Sequence, residues 1–270
     1  MKNISMARFS HLFLIFVFGF FIGGCKTTEI PLEQSDRMPT SEGRYSLRLK
    51  SHPKTDWSNI HFSSKTLLYK NNELAQQSFK KTKLKLKSET RGEGKDAPLL
   101  VRNTTVEKWG DRNLHALGFP EKGETIALKL DPSGRVLEVE GMSKQSIFYV
   151  PPVLLPTHKV NFGDKWRETF LWEGEGIGGT LKTTIECQLS GLQYWKSKKV
   201  FRIEMKALSH LEDDQEFELS SHSRGYMLWD NEKGVVIYAK AMSKDTLIPK
   251  NGNDKIVTIS KLQLNHLTSK

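Results

Sequence analysis

The chain offers few groups able to do chemistry, and the two thiols are the first to weigh. Cys25 stands directly after Ile22, Gly23 and Gly24, where a run of bulky apolar residues stops abruptly. Cys187 alternates with Ile185 and Leu189, so a neutral, packed thiol is expected there. His210 and His222 flank Glu212, Asp213 and Asp214, but the spacing follows no metal-ligand pattern and reads as solvated loop charge. Gly174 to Gly179 lacks the Lys-Ser/Thr pair of a phosphate-binding loop and reads as a flexible hairpin or bulge. No Gly-x-Ser-x-Gly motif occurs, so no nucleophile announces itself. Catalytic residues, metal ligands and cofactors are therefore expected to be none.

Two sets of side chains suit binding better than catalysis. In KKTKLKLK, alternation puts Lys81, Lys83, Lys85 and Lys87 on one face, with Thr82, Leu84 and Leu86 on the other. That comb of charge suits an anionic lipid or cell-wall polymer, or else guards an edge strand against aggregation. Trp166, Phe170 and Trp172 share one face, with Arg167, Thr169 and Leu171 opposite. Such a stripe is either packed core or an open concave face that takes an acyl chain or a partner's apolar segment.

The elements that position these groups begin with the amino terminus. The apolar run from Leu12 to Gly24 is 13 residues, shorter than a bilayer crossing, and follows Lys2 and Arg8 with no acidic residue. That is the layout of a secretory signal, residues 1–24. With Cys25 directly behind Ile22-Gly23-Gly24, the segment resembles the lipobox of bacterial lipoproteins. The resemblance implies a diacylglyceryl thioether on Cys25, cleavage before it, and acylation of the new amino terminus. Several acyl chains anchor a protein that one chain would hold only marginally. Lys26 replaces the aspartate that often retains such proteins in the inner membrane, so the resemblance implies the outer membrane, facing the periplasm.

Loss of residues 1–24 removes Lys2 and Arg8 and lowers the formal net charge from +10 to +8. A basic envelope surface suits anionic neighbours, and export excludes nucleic acid. Cys187 is then the one remaining thiol, so no intramolecular disulfide is expected and the fold must stand on its core. Residues 25–43, with two prolines and no apolar periodicity, read as a lipidated polar tether. Residues 44–270 read as one β-rich domain.

Within that domain the recurring signal is period two. Leu181, Thr183, Ile185, Cys187 and Leu189 share a face, as do Phe201, Ile203, Met205 and Ala207, and again Phe217 and Leu219. Further strands are expected at 45–49, 79–87, 99–109, 125–130, 135–140, 164–172, 225–229, 235–242 and 255–264. KLDPSGRVLEV and MLWDNEKGVVIY each place an aspartate and a glycine between strands, as hairpins do. Their similar form hints at an ancient duplication. Between the two halves, SKQSIFYVPPVLLP suggests a short helix, then an extended crossover near 150–157 forced by Pro151, Pro152 and Pro156.

The expected fold is all-β and mainly antiparallel, a curved open sheet or half-barrel with at most a short helix. Pro156, Val160, Gly163, Asp164 and Trp166 form a P-x-x-x-V-x-x-G-D-x-W stretch similar to one in uncharacterised β-rich envelope lipoproteins. That resemblance implies a half-barrel like those of periplasmic lipoprotein carriers and receptors. Three functions stay open: a non-enzymatic envelope protein binding an apolar ligand, lipoprotein or other envelope component; a structural or assembly lipoprotein; and an envelope hydrolase assembled from scattered residues such as Asp164, His158 and His210. If Cys25 carries lipid, Cys25→Ser should accumulate as a larger, unprocessed protein that takes up no labelled palmitate; equal palmitate uptake by the variant would refute the assignment.

Overall fold

A computed structural model describes residues 43–51, 55–94, 97–173, 179–212, 216–250 and 252–267. The signal, Cys25, residues 25–42 of the tether, Gly174 to Gly178, Asp213 and Asp214 lie outside the described residues.

All strands belong to one antiparallel sheet with free edges. They are β1 (Asp56–Lys70), β2 (Glu73–Arg91), β3 (Leu99–Trp109), β4 (Thr125–Leu130), β5 (Val136–Val139), β6 (Lys165–Glu173), β7 (Thr180–Trp195), β8 (Lys198–Glu212), β9 (Phe217–Asp230), β10 (Val235–Pro249) and β11 (Lys255–Leu267). Their order is β5-β4-β3-β2-β1-β11-β10-β9-β8-β7-β6. Two meanders are thus joined where the first strand pairs with the last, from Trp57 opposite Leu267 to Tyr69 opposite Lys255. The remaining regular structure is two single 3-10 turns, His115–Leu117 and Ile147–Tyr149.

Alternation explains the strands. Leu181, Thr183, Ile185, Cys187 and Leu189 are all buried, as are Ile203, Met205 and Ala207. β1 has no strand expected for it from sequence, because its core-facing positions after Ile60 and Phe62 are Ser64 and Thr66, which hide the hydrophobic period. Residues 45–49, expected as a strand, make only an isolated bridge, Tyr45 with Val160. Leu49 N–H donates to Pro132 O at 2.9 Å, so this segment lies across the ends of other elements and lacks a ladder of its own.

Both aspartate-glycine turns form as expected. Asp131 Oδ1 accepts from Ser133 N–H at 2.8 Å and Arg135 N–H at 3.0 Å. Asp230 Oδ1 accepts from Glu232 N–H and Lys233 N–H, each at 3.1 Å. The β1–β2 and β7–β8 connections are tighter, two-residue turns with positive φ at Asn71 and Asn72, and at Lys196 and Ser197.

The sheet edges β5 and β6 are consecutive in the chain, so the crossover between them must span the opening. Arg135, just before β5, donates through Nε to both carboxylate oxygens of Glu168 on β6, at 2.9 and 2.8 Å. Leu155 N–H donates to Ser133 O at 2.8 Å, and Trp166 Nε1–H to Leu154 O at 3.0 Å. The crossover is therefore fastened to both edges. Leu154, Leu155 and Val160 join Leu47 and the inward residues of β6 to β10 in the largest core cluster. Leu49 and Ile147 link it to the β4–β5 cluster, and Leu264 links it to a cluster on β1, β2 and β11.

Gly134 holds this joint together. Its φ is +88°, and a Cβ there would come within 2.1 Å of the Val153 carbonyl oxygen. Gly134→Ala should cost about 1–3 kcal/mol from strain and displacement of the crossover. Urea denaturation of the purified variant checks this; an unchanged midpoint would show that the crossover is not held at Gly134.

Candidate functional site

The inner face is the one covered by the crossover, the 43–51 segment and the connection between β3 and β4. Toward the β7–β8 and β9–β10 turns it is apolar, carrying Phe201, Ile203, Met227, Trp229 and Ala239. Farther along, the same strand phase brings small polar residues inward. Thr183 faces Ser209, Ser209 faces Ser221, Ser221 faces Asp245, Asp245 faces Thr258, and Thr258 faces Thr66. Beside that row, Ser223 faces Ser243, Ser243 faces Ser260, and Ser260 faces Ser64. Beyond both rows the lining turns apolar again at Leu219, Leu247 and Ile256.

Much of this belt is joined by hydrogen bonds, as buried polar groups must be. Thr183 and Ser209 hydroxyls meet at 2.8 Å, and those of Thr66 and Thr258 at 3.1 Å. Ser221 Oγ donates to Asp245 at 2.6 Å and Ser243 Oγ at 3.2 Å. Asp245 is 3% exposed, and burial pushes its carboxyl up to about 7 although both hydroxyls favour the charged form. Among the described residues, four buried side-chain atoms have no hydrogen-bond partner: Thr82 Oγ1, Thr105 Oγ1, Arg112 Nε and Ser260 Oγ. Three of these surround the contact of Arg112 with Ser64, because Ser260 faces Ser64 and Thr82 faces Phe62, on whose ring the guanidinium sits.

The aromatic residues singled out in sequence do share the inner face. Trp166 and Trp172 are buried, and the Trp172 indole N–H donates to Thr183 Oγ1 at 3.1 Å. Phe170 is partly buried against the main cluster and faces Thr183. The stripe therefore ends the hydroxyl row, with two members packed and one half-buried. The glycine-aspartate signature acts in the backbone. Asp164 Oδ2 accepts from Asn161 N–H at 2.8 Å, and Gly163 N–H reaches Leu189 O at 2.8 Å at φ +91°.

Lys81, Lys83, Lys85 and Lys87 lie on the outer face of β2, opposite buried Thr82, Leu84 and Leu86. The edge-guard reading of this comb needs correction. β2 bonds to β1 along nearly its whole length and to β3 over Lys83 to Arg91, so only residues before Lys83 run along a free edge. Lys85 pairs with Glu107 at 3.2 Å and Lys87 with Glu89 at 2.5 Å, which leaves Lys81 and Lys83 as the exposed part of the comb.

Cys187 is fully buried on the inner face, and loss of water pushes its thiol up to about 12. His158, Asp164 and His210 do not assemble. Asp164 adjoins Lys165, which faces Gln188, whereas His210 faces Lys182, about 20 Å away along β7. His210 and His222 are both exposed. Among the described residues, no three His, Cys, Asp or Glu side chains are grouped to hold a metal ion. The sequence signal for the hydroxyl belt was present but unread: in LSSHSRGYML and AMSKDTL the core phase falls on Ser221, Ser223, Ser243 and Asp245.

No protein-family model matches the chain, and no curated protein matches it significantly. The fold class stands on the strands themselves: an all-β protein built as one open antiparallel sheet.

Asp245 gives a signed pH dependence. Its native carboxyl keeps a proton that the unfolded chain releases near pH 4, so its contribution to stability falls as pH rises from about 4 to 7. Asp245→Asn should match the wild type at pH 4 and exceed it at pH 8 by as much as roughly 4 kcal/mol. Urea titrations at both pH values check this; a difference independent of pH would contradict it.

Proposed function

We propose that the chain is a non-enzymatic, lipid-anchored protein of the bacterial envelope that binds an apolar ligand or partner segment at the inner face of its curled sheet. The anchor follows from Cys25 behind its apolar run and polar tether, and the outer membrane facing the periplasm is the corresponding place. The observation that carries the binding reading is an inner face that is lined but not zipped shut. β5 and β6 meet through the Arg135–Glu168 pair and the crossover, without a ladder between them. Displacing the crossover, which requires breaking contacts such as Trp166 with Leu154 and Leu155 with Ser133, exposes Phe170, Trp166 and Trp172 beside the hydroxyl row.

The burial of Trp166 and Trp172 supports a second reading, a structural or assembly lipoprotein whose interior is filled and whose outer face meets its partners. The exposed Lys81 and Lys83 then provide a contact for anionic lipid or polymer.

Binding separates the two readings. The full chain, kept in solution at the lowest sufficient detergent, should bind the uncharged probe N-phenyl-1-naphthylamine saturably and quench tryptophan emission. Phe170→Ala, checked as folded by circular dichroism, should weaken that binding about threefold or more, the effect of removing a large apolar contact. No saturable binding by folded wild type would eliminate the ligand reading and leave the structural one.

A further inference from the structure

Arg112 is 5% exposed, yet its one hydrogen bond in the structure is donated by Nη2 to Ser64 Oγ. Its guanidinium carbon lies 4.4 Å from the centroid of the Phe62 ring. The adjacent acid, Asp111, turns outward with its side chain 78% exposed, near Lys80 Nζ at 4.0 Å. Loss of water pulls the guanidinium down to about 10, so it keeps its charge at neutral pH. A buried cation without a carboxylate partner is costly and points to an anion.

The groups around it have the matching polarity. Arg112 Nε, Thr82 Oγ1 and Ser260 Oγ are buried without partners, and Thr82 and Ser260 are each 1% exposed. The nitrogen is a donor only, and each hydroxyl can donate. Ser64, already bonded to Arg112, stands opposite Ser260, and Phe62 stands opposite Thr82, so Thr82 on β2 and Ser260 on β11 flank β1 on either side of the guanidinium, about 12 Å apart along the sheet. The apolar cluster at this place comprises Ile60, Phe62, Leu84, Leu86, Leu114, Leu117 and Leu262. The connection between β3 and β4, which carries Arg112, Leu114 and Leu117, lies over the site.

We propose that Arg112, with one of the two flanking hydroxyls, Thr82 or Ser260, as second donor, binds an oxyanion, a carboxylate or phosphate, that is the head group of an amphiphile. The donors match the oxygens, the positive charge selects an anion over a cation, and the surrounding leucines accept the chain attached to it. This deepens the reading of the inner face as a ligand site by naming the chemistry of the head, and it can fail while that reading stands.

Calorimetry on the full chain in detergent tests it with four probes: oleate, oleyl alcohol, acetate and inorganic phosphate. Oleate should bind about tenfold or more tighter than the alcohol, the difference expected for a charge-assisted contact. Arg112→Gln should remove that preference, so that oleate binds no tighter than the alcohol. Because Arg112 also tethers its connection to Ser64, Thr82→Val and Ser260→Ala provide the second arm. Each deletes an unpartnered buried hydroxyl, so stability should hold or rise in both, while oleate binding weakens severalfold in the one whose hydroxyl serves the head group. Equal binding of oleate and oleyl alcohol by the wild type would overturn the oxyanion site and leave the apolar reading intact. Acetate or phosphate binding as tightly as oleate would make the source a free anion and overturn the amphiphile. Oleate binding unaffected by all three substitutions would mean that water alone serves these groups, and absence of binding by oleate and alcohol alike would defeat both readings.

Discussion

The pairing of β1 with β11 is the constraint on which the rest of this structure depends. It places the first and last strands side by side in the middle of the sheet and sends the two meanders outward from there. The consequence is that β5 and β6, neighbours in sequence, become the two free edges. The connection of about two dozen residues is long enough to bridge them at almost any distance, so it is its contacts with both edges that bring them together. Closure then depends on a carboxylate–guanidinium pair, a few main-chain hydrogen bonds and the leucines of the crossover. These are weaker together than a ladder between two strands, and they concentrate any opening of the molecule at one seam.

The second governing feature is the composition of the inner face. Hydroxyls and one carboxyl occupy positions that a purely apolar core would give to valine or leucine. Pairing across strands satisfies many of them, because direct neighbours in register bring two hydroxyls within reach of each other. The belt fails to satisfy Arg112, Thr82 and Ser260, all near the β3–β4 connection. Asp245, in contrast, has two hydroxyl donors, and lies two strand spacings and two residues along from Ser64, about 12 Å away. A cation without an ion-pair partner and an isolated acid at separate points along one belt are both costly to bury.

The proposed function lies on the inside of the sheet, apart from the proposed envelope anchor. The proposed division is between a lipid on Cys25 that fixes the location and a seam and belt that recognise a ligand. The signature Pro156 to Trp166 serves the scaffold: its glycine and aspartate shape the turn into β6, and its tryptophan ties that edge to Leu154.

Strand phase was legible wherever apolar residues alternate with polar ones, as at Leu181 to Leu189 and Phe201 to Ala207, because the pleat has a period of two independent of context. Turn chemistry was equally local, so Asp131 with Gly134 and Asp230 with Gly234 declared their hairpins. β1 escaped because its inward residues include Ser64 and Thr66, which only a cross-strand partner identifies as inward. For the same reason nothing local marks Asp245 and Ser260 as inward. Whether β2 was an edge, and which strands met across the middle, depended on pairings between residues some two hundred positions apart. Local composition cannot encode such a pairing, since any two alternating strands are chemically compatible; the tertiary structure decides it by choosing the one order that buries all the inward faces together. Arg112 shows the limit most clearly: by sequence it is an unremarkable arginine in a loop, and only the folding of that loop over β1 takes its charge out of water.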